Sequence, residues 1–385
     1  MKTKKRQSGV LVIGPYPPPD HGTSIPFKYL VDFLRQHCTK DVCVVNTQSG
    51  DKLHVPLYSP GAIRPFLSIT RQVIRSLRVC DVCLIYGSQR FITTVGSFYT
   101  LLLTGLFAKD VYIYIQGGAF DLYYHALHPC LKFFVRHCLK RAQRIGVQTQ
   151  LVYTSLSQEL NHVVVIPNWN DTLLLHQPKN ATVLDFQNQV VRFVYLGEIR
   201  SEKGLRELLE SFQRAKNQLH QERISMTLDL FGPTRPDFHH MFEQLLSKYG
   251  NAVTYHGYLE HTALLEELRR FSVLVLPTYF PSEGYPGVLI EAMALGLAVV
   301  TTCWRAIPEI VTHEETGLLC EPGDVQSLTA CLLRVAQDAH LRGTLGQNAQ
   351  ERAKQFDVQV VMPRLCELYN LPLKGLPSWE LPEKL

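Results

Sequence analysis

The sequence predicts an α/β protein with two doubly wound domains, each built around a parallel sheet. Short runs rich in Val and Ile recur between longer amphipathic stretches, which is typical of repeated strand–helix units. This alternation stops at a polar segment, residues 168–189, and then starts again. The length of 385 residues also exceeds what one compact core usually contains. We therefore expect two similar halves.

Each half contains six runs that we predict to be strands. Those of the first half are residues 10–14, 42–46, 82–86, 111–115, 144–148 and 163–167. Those of the second half are residues 192–197, 226–232, 252–257, 273–277, 297–302 and 316–320. Two helical stretches follow Asp324. Because such sheets bind ligands outside the carboxyl ends of their strands, we expect the site in a central cleft between the two facing domains.

The break in periodicity also predicts the domain boundaries. Residues 1–168 are expected to form the first domain, 169–190 a linker, and 191–355 the second domain. The remaining residues, 356–385, are predicted to form a helix and tail that cross back to the first domain.

Composition excludes several classes of protein. The net charge is only +5, and Lys and Arg are scattered, which disfavours nucleic-acid binding. The ten cysteines are well separated, apart from one C-x-x-C at Cys80 and Cys83. A redox or zinc role for this pair is the alternative to buried thiols of a reducing compartment, which we favour because no second ligand pair follows.

Two segments bear on localisation. The basic amino terminus lacks the apolar core of a secretion signal, so a cytoplasmic protein is expected. The longest apolar stretch, residues 91–107, contains Thr93, Thr94, Ser97 and Thr104 and is too short to span a bilayer. We predict a buried helix there.

The most informative stretch is residues 276–302. A strand ends at Pro277, a loop carries Glu283, Gly284 and Gly287, and a helix then passes through Glu291. A helix amino end reached through glycines presents free N–H groups and a partial positive charge, which suits a diphosphate. In this setting the carboxylates of Glu283 and Glu291 could face one pocket. Without the strand, glycine loop and helix around them, they would be interpreted as ordinary surface charges.

This stretch resembles the E-x7-E signature of the retaining glycosyltransferases of family 4. Other parts of the second half resemble the same family in the same order, namely residues 195–212, 230–233, 253–259, 307–311 and 316–324. The first half matches more thinly, at residues 14–24, 114–118 and 165–169. The resemblance implies the GT-B fold, with an acceptor-side first domain and a nucleotide-sugar-binding second domain. It also implies transfer of a sugar to a carbohydrate or lipid-linked acceptor, as in surface polysaccharide or glycoconjugate synthesis.

The resemblance implies roles for individual residues. Glu283 would hold hydroxyls of the transferred sugar, Glu291 the ribose hydroxyls, and Lys203 the diphosphate, although an ordinary solvated lysine is the alternative for Lys203. The segment at the start of the helix, Gly284, Tyr285, Pro286, Gly287 and Val288, would line the diphosphate. A cation and a helix dipole are suited to this task because negative charge accumulates on the departing phosphate.

The sequence departs from the family pattern in three places. Glu198 follows Gly197 where the family usually has Arg, and Arg200 either substitutes or points to solvent. Gln116, next to Gly117, stands where His is common, and an amide cannot act as an acid or base. Arg305 replaces a usual glycine and either contacts the sugar or phosphate or caps its loop.

The loop at Gly22 precedes an amphipathic helix and could approach a phosphate or acceptor. It lacks the G-x-G-x-x-G spacing, which disfavours a dehydrogenase. No D-x-D motif occurs, so we expect a metal-independent enzyme without a cofactor. His256 and His261 could be ligands, but their positions favour structural roles.

Basic residues suggest contact with an anionic membrane. Arg64, Arg71, Arg75 and Arg78 alternate with apolar residues, and Lys132, Arg136, Lys140 and Arg141 form a second set. Solvated helix faces explain both sets equally well. Peripheral association with the inner face of the membrane is one expectation.

Two other functions remain open at this point. A sugar-nucleotide-binding scaffold that has lost catalysis would accommodate Glu198 and Gln116, but the intact Glu283, Glu291 and Lys203 argue against it. A sugar-nucleotide epimerase or a phosphorylase could use a similar scaffold.

Overall fold

The computed structural model describes residues 9–18, 20, 22–48, 60–172, 190–249 and 253–374, without the side chains of residues 60–65 and 221. The chain divides into two compact units. The first comprises Met1–Pro167 and Val358–Leu385, and the second comprises Asn168–Asp357. Most of the predicted linker and the end of the predicted tail, residues 173–189 and 375–385, lie outside the described residues.

The first unit contains a six-stranded parallel sheet in the order β2-β1-β3-β4-β5-β6. Its strands are β1 Gly9–Gly14, β2 Val42–Asn46, β3 Cys80–Ser88, β4 Asp110–Gln116, β5 Arg144–Val147 and β6 Val163–Val165. Its helices are α1 Ser24–His37, α2 Pro60–Ser76, α3 Gln89–Phe91, α4 Ser97–Leu106, α5 Phe120–His125, α6 Pro129–Leu139, α7 Gln150–Leu156 and α14 Val358–Leu368. All six strands predicted in this half are confirmed.

The second unit has its own parallel sheet in the order β12-β11-β10-β7-β8-β9. Its strands are β7 Val190–Leu196, β8 Ser225–Phe231, β9 Val253–Gly257, β10 Val273–Leu276, β11 Ala298–Thr302 and β12 Leu318–Cys320. Its helices are α8 Leu205–Leu219, α9 His239–Tyr249, α10 His261–Leu268, α11 Gly287–Ala294, α12 Val325–Gln337 and α13 Ala339–Ala353. These elements confirm the second predicted set, including the two helices after Asp324.

Burial explains why the central strands are so apolar. Every residue of β1, β10 and β11 is buried, because helices cover both faces of a parallel sheet. In the second sheet the chain begins at β7 and adds β8 and β9 on one side, then β10, β11 and β12 on the other. The strand order therefore reverses between β7 and β10. The loops that follow these two strands lie where a doubly wound sheet binds ligands.

The prediction of one buried helix over residues 91–107 is wrong in two respects. The segment begins at the end of α3, passes through a π-helical turn, Ile92–Gly96, and continues as α4. Ser97 Oγ donates to the Ile92 carbonyl oxygen at 2.8 Å, so hydroxyl groups satisfy backbone acceptors within the irregular turn. Phe98 and Leu106 are 40% and 77% exposed. Among the described helices, none is both long and apolar enough to cross a membrane.

The cysteines are all free thiols. Burial raises the pKa of Cys83 to about 12 and that of Cys80 further, so neither is a reactive thiolate at neutral pH. The expectation of buried thiols is wrong for Cys130 and Cys303, which are exposed.

Candidate active site

Lys203 is brought to the end of β10 by a tight turn after β7. Residues Ser201–Lys203 form one 3-10 turn, and Gly204 follows with φ of +72°. A Cβ atom on Gly204 would lie 2.1 Å from the Pro277 carbonyl oxygen, so only glycine allows this contact. The Tyr279 amide also donates to the Glu202 carbonyl oxygen at 2.9 Å. Together these contacts join the β7 loop to the β10 loop.

Glu283 and Lys203 form an ion pair where the two loops meet. Lys203 Nζ lies 2.5 Å from Glu283 Oε2, and Thr278 Oγ1 donates to the same oxygen at 2.7 Å. Glu283 is 7% exposed and Thr278 is fully buried. Glu283 Oε1 accepts no hydrogen bond from the described residues. One carboxylate oxygen is thus held by the protein, and the other is available to a ligand.

The amino end of α11 follows directly in the chain. Its N-cap is Pro286, which has no side-chain donor or acceptor to cap the first N–H groups. A Cβ atom on Gly287 would meet nothing within 4 Å, so the space in front of the helix is open. Gly284, Tyr285 and Pro286 are buried and Val288 is half-buried.

Tyr285 fixes this loop from both its side chain and its backbone. Its hydroxyl donates to Glu309 Oε2 at 3.0 Å, and its carbonyl oxygen accepts from Asn168 Nδ2 at 3.1 Å. Burial, followed by the nearby Glu309, raises the pKa of the Tyr285 hydroxyl, which therefore stays protonated. The hydroxyl is a structural donor to Glu309.

Glu291 lies on α11 and is only 6% exposed. Its Oε1 accepts from Asn170 Nδ2 at 2.8 Å and contacts His261 Nε2 at 2.9 Å. The interpretation of His261 as only structural missed this contact with a predicted site residue. Asn170 was missed as well, because 121 positions separate it from Glu291 along the chain. The sequence does contain one indication of this contact, because two closely spaced asparagines, Asn168 and Asn170, follow the last strand of the first half.

Arg200 stands beside the ion pair but has its own acidic partners. Its guanidinium donates to Glu202 at 3.0 and 3.1 Å and to Glu198 at 3.3 Å. Its hydrogen bond lowers the pKa of Glu202 to about 2. Arg200 and Lys203 lie over the ring of Phe280, at 4.3 and 5.6 Å from its centre. Arg200 does not simply point to solvent, and its role towards a diphosphate stays a prediction.

Arg305 lies in the turn after β11, in the left-handed region with φ of 48°. The adjacent Trp304 donates from Nε1 to the Phe280 carbonyl oxygen at 2.8 Å, so this turn packs on the β10 loop. Whether Arg305 contacts a sugar or a phosphate stays a prediction.

Three predicted residues lie in the first unit. Gln116, at the end of β4, accepts from the Tyr86 hydroxyl at 2.8 Å and donates to the Gly22 carbonyl oxygen at 3.2 Å. Gly117 has φ of +119°, and its amide donates to Gln148 Oε1 at 3.0 Å. Gln116 therefore fixes the loop at Gly22, a role in which an amide serves because it both accepts and donates.

No group of three His, Cys, Asp or Glu side chains in the described ranges could hold a metal ion. His256 contacts Asp229 Oδ1 at 2.6 Å and stacks on Phe231 at 4.5 Å. This partnership agrees with the structural interpretation of His256.

These positions define a site suited to a phosphorylated sugar. Lys203 and Glu283 lie on the loops that follow β7 and β10, and the second of these loops leads into α11, which carries the nearly buried Glu291. The cation and the helix dipole can stabilise negative charge on a phosphate. The free carboxylate oxygens can accept hydrogen bonds from hydroxyl groups.

The second half of the chain resembles the sequences of known glycosyltransferases. Residues 191–338 match the family model described as "Glycosyl transferases group 1". The capsular polysaccharide biosynthesis glycosyltransferase CapM of Staphylococcus aureus is 28% identical over 182 residues, which cover 47% of this chain and 46% of that protein. The sulfoquinovosyl transferase SQD2 of Arabidopsis thaliana is 30% identical over 167 residues, which cover 43% and 30%. The chain thus spans less than half the length of these curated relatives.

Solved structures match over nearly the whole chain. Sucrose-phosphate synthase from Thermosynechococcus elongatus aligns with a TM-score of 0.74 at 19% identity, covering 94% of this chain and 98% of that one. Anabaena HepE in complex with UDP and glucose aligns with a TM-score of 0.71 at 17% identity, covering 94% and 99%. With the two six-stranded parallel sheets, these likenesses confirm the predicted GT-B fold class.

Proposed function

We propose that the chain is a retaining glycosyltransferase that uses a nucleoside-diphosphate sugar, because residues 191–338 match the model of the group 1 glycosyl transferases. The observation that carries the proposal is the Lys203–Glu283 pair, set at the loops where the strand order reverses and next to the amino end of α11. The pair supports the proposal because it brings a cation and a fixed acceptor close in the chain to a helix end that has no side-chain cap.

In the proposed reaction, the bond between the anomeric carbon and the diphosphate breaks, and negative charge builds up on the departing phosphate. Lys203 and the amides of Gly287 and Val288 stabilise that charge, which lowers the barrier more than it tightens substrate binding. Glu283 Oε1 accepts from hydroxyls of the sugar and orients it. The acceptor oxygen bonds to the anomeric carbon on the same face that the diphosphate leaves, and the departing phosphate takes the acceptor proton. The configuration is therefore retained, and Glu283 need not act as a nucleophile.

Similar proteins support a chemical class for both substrates. Anabaena HepE binds UDP and glucose, and CapM is a glycosyltransferase of capsular polysaccharide biosynthesis. A Campylobacter jejuni relative is an N-acetylgalactosaminyltransferase for a diphospho-undecaprenol sugar. We infer a nucleoside-diphosphate sugar as donor and a carbohydrate or lipid-linked acceptor, in surface polysaccharide or glycoconjugate synthesis.

We also propose that no metal ion is needed, because Lys203 and the helix dipole of α11 supply the positive charge that a divalent ion supplies elsewhere.

A thermal-shift panel tests the proposal. UDP, GDP and ADP are added with and without EDTA, and we expect one of them to raise the Tm in both conditions. At 100 times its Kd, a ligand stabilises the folded state by about 2.7 kcal/mol. Incubating the matching nucleotide sugar with an acceptor extract should then release nucleoside diphosphate, also in EDTA.

Each component of the proposal can fail separately. No shift with any nucleotide would contradict the donor site. Complete loss of turnover in EDTA would contradict the metal-free mechanism. Binding without turnover would favour the scaffold, and release without an acceptor would favour another reaction.

The first unit supports our further proposal of peripheral membrane association. Arg71, Arg75 and Arg78 are exposed along α2 and just beyond it, next to the exposed Leu67 and Ile74. The Phe66 ring of α2 lies 5.6 Å from the Phe98 ring of α4. Helix α4 in turn adjoins α6, which carries the 74% exposed Phe133. These three helices combine exposed apolar and cationic side chains, as a surface for anionic lipid requires.

Only part of the second basic set, Lys132, Arg136, Lys140 and Arg141, has an acidic partner in the described part of the chain. Lys132 and Arg136 lie 3.0 and 3.5 Å from Glu159, which offsets their charge, whereas Lys140 and Arg141 are exposed. The side chain of Arg64 lies outside the described residues.

Changing Arg71, Arg75 and Arg78 together to Glu should release the protein from vesicles that contain phosphatidylglycerol. Each basic residue near an anionic surface contributes about 1 kcal/mol, so the partition coefficient should fall by at least about 100-fold. Sedimentation with the vesicles measures this. The matched control changes Arg214, Lys216 and Lys248 of the second unit to Glu, with the same change in net charge. Equal release of both variants, or no binding of the wild type, would contradict the proposal.

A further inference from the structure

The Glu291 carboxylate is held by donors from two separate segments. Asn170 comes from the first residues of the second unit, and His261 is the first residue of α10. Both bond to the same oxygen, Oε1, at 2.8 and 2.9 Å. A carboxylate that is only 6% exposed needs such partners, since burying a charge without them is costly.

The two bonds leave the carboxylate asymmetric. Each oxygen of an ionised carboxylate can accept about two hydrogen bonds. Oε1 accepts from both Asn170 and His261, and Oε2 accepts none from the described residues. The protein thus fixes the direction of the side chain through one oxygen and leaves the other for a donor from outside the protein.

Asn170 is itself fixed by its neighbours. Its backbone amide donates to the Phe356 carbonyl oxygen at 3.0 Å, and its Oδ1 accepts from the Asp171 amide at 2.8 Å. The latter bond establishes which side-chain atom of Asn170 is the donor to Glu291. Two positions later, Thr172 Oγ1 donates to Asp357 Oδ2 at 2.6 Å. The carboxamide therefore cannot turn without breaking its two side-chain hydrogen bonds, one to Glu291 and one from the Asp171 amide.

His261 offers a matching constraint from the other side. An ionised carboxylate only accepts, so the Nε2 atom of His261 must carry the proton. The His261 side chain is 17% exposed, so most of it is covered by the protein, and its Nε2 atom lies against Glu291.

We propose that Asn170 and His261 are positioning residues that make the donor site selective for ribonucleotides. This inference rests on the proposed function and on the role that the family resemblance implies for Glu291, which is to hold the ribose hydroxyls. Held through Oε1, Glu291 presents Oε2 in one direction, where it accepts from the ribose hydroxyls. A nucleotide that lacks these hydroxyls leaves the buried oxygen unpaired, which is the strongest form of discrimination that hydrogen bonding provides.

The test compares a nucleoside diphosphate with its 2′,3′-dideoxy form by calorimetry. The probe is UDP, GDP or ADP, whichever raises the wild-type Tm most. We expect the wild type to bind the ribose form at least about 10-fold more tightly, as for one charge-assisted hydrogen bond. H261A and N170A should weaken the ribose form about 10-fold or more and change the Kd of the dideoxy form less than about 3-fold. H261Q keeps an N–H donor and should retain most of the preference.

The matched control is H256A, because His256 also contacts a carboxylate, Asp229 Oδ1 at 2.6 Å, but does not contact Glu291. It should leave the ribose preference unchanged. If circular dichroism shows that N170A does not fold, the ribose preference of H261A is compared with that of H261Q, and this comparison tests the inference.

The outcomes separate this inference from the proposed function. A wild type that binds no nucleoside diphosphate contradicts the proposed function itself. A wild type that binds both forms equally contradicts the ribose contact of Glu291 and with it this inference. Variants that weaken both forms to the same degree overturn only the role of Asn170 and His261.

Discussion

Replacing Glu283 with Gln is expected to lower turnover by about 100- to 1000-fold, the range seen when one preorganised electrostatic contact is removed. The amide has nearly the same shape and can still accept from Thr278, which donates to Glu283 Oε2 at 2.7 Å. It cannot form the 2.5 Å ion pair with Lys203. With its single oxygen on Thr278, it turns an NH2 donor towards the sugar hydroxyls in place of the carboxylate acceptor. Steady-state release of nucleoside diphosphate gives kcat, and calorimetry with the donor gives its Kd.

The loss should appear mainly in kcat, because the orientation of the sugar matters most as its anomeric bond breaks. The matched control is E314Q, which removes another carboxylate of the second unit, one that lies 2.7 Å from Arg334. Circular dichroism should show that both variants are folded. Near-normal turnover of E283Q would remove Glu283 from the mechanism and with it the main support for the site.

Most of the fold could be predicted because a parallel sheet that is covered on both faces imposes a strong pattern. The run at residues 42–46 coincides with β2, and the others differ from their strands by a few residues at either end. The segment at 91–107 could not be predicted in detail because its many apolar residues do not show which helix face is buried. Its serine and threonine hydroxyls also satisfy backbone carbonyls locally, and a π-helical turn then replaces one regular helix.

The candidate site was predictable only in part. The loop at Glu283 could be identified because it follows a strand and contains glycines, whereas Lys203 was identified through the resemblance to family 4. Their ion pair could not be derived from spacing, since the two residues are 80 positions apart. The order of the strands brings them together, because β7 and β10 are neighbours at the point of reversal. Asn170 and His261 were missed for the same reason, since their contacts with Glu291 arise from folding alone.

Gln116 illustrates a different difficulty. Histidine is common at this position and can carry a proton, whereas the amide of Gln116 cannot. The structure instead shows Gln116 between the Tyr86 hydroxyl and the Gly22 carbonyl oxygen, where it accepts at 2.8 Å and donates at 3.2 Å. These two contacts explain why an amide suits position 116, because it accepts one hydrogen bond and donates the other, and no catalytic role is needed.

Replacing Lys203 with Met is expected to lower turnover about as much as E283Q does. Unlike E283Q, it should also clearly weaken binding of the nucleoside diphosphate. Methionine keeps most of the aliphatic length and removes the charge, so the diphosphate loses its cation in both the bound and the transition state. We expect the Kd for the nucleoside diphosphate to rise about 10-fold or more and kcat to fall about 100-fold or more, because the phosphate gains charge as the bond breaks. Calorimetry and steady-state kinetics measure the two effects.

The variant also tests how Glu283 is held. Without Lys203, Glu283 keeps only Thr278 as a donor among the described residues, and a carboxylate that is 7% exposed then loses its counter-charge. K203M should therefore lower the Tm as well, whereas K203R keeps a cation and should recover both the Tm and part of the affinity. The double variant K203M/E283Q should be more stable than K203M alone, because the unpaired charge is gone, while its turnover stays low. A double variant no more stable than K203M would mean that the Lys203–Glu283 contact is not the ion pair on which the proposed donor site depends.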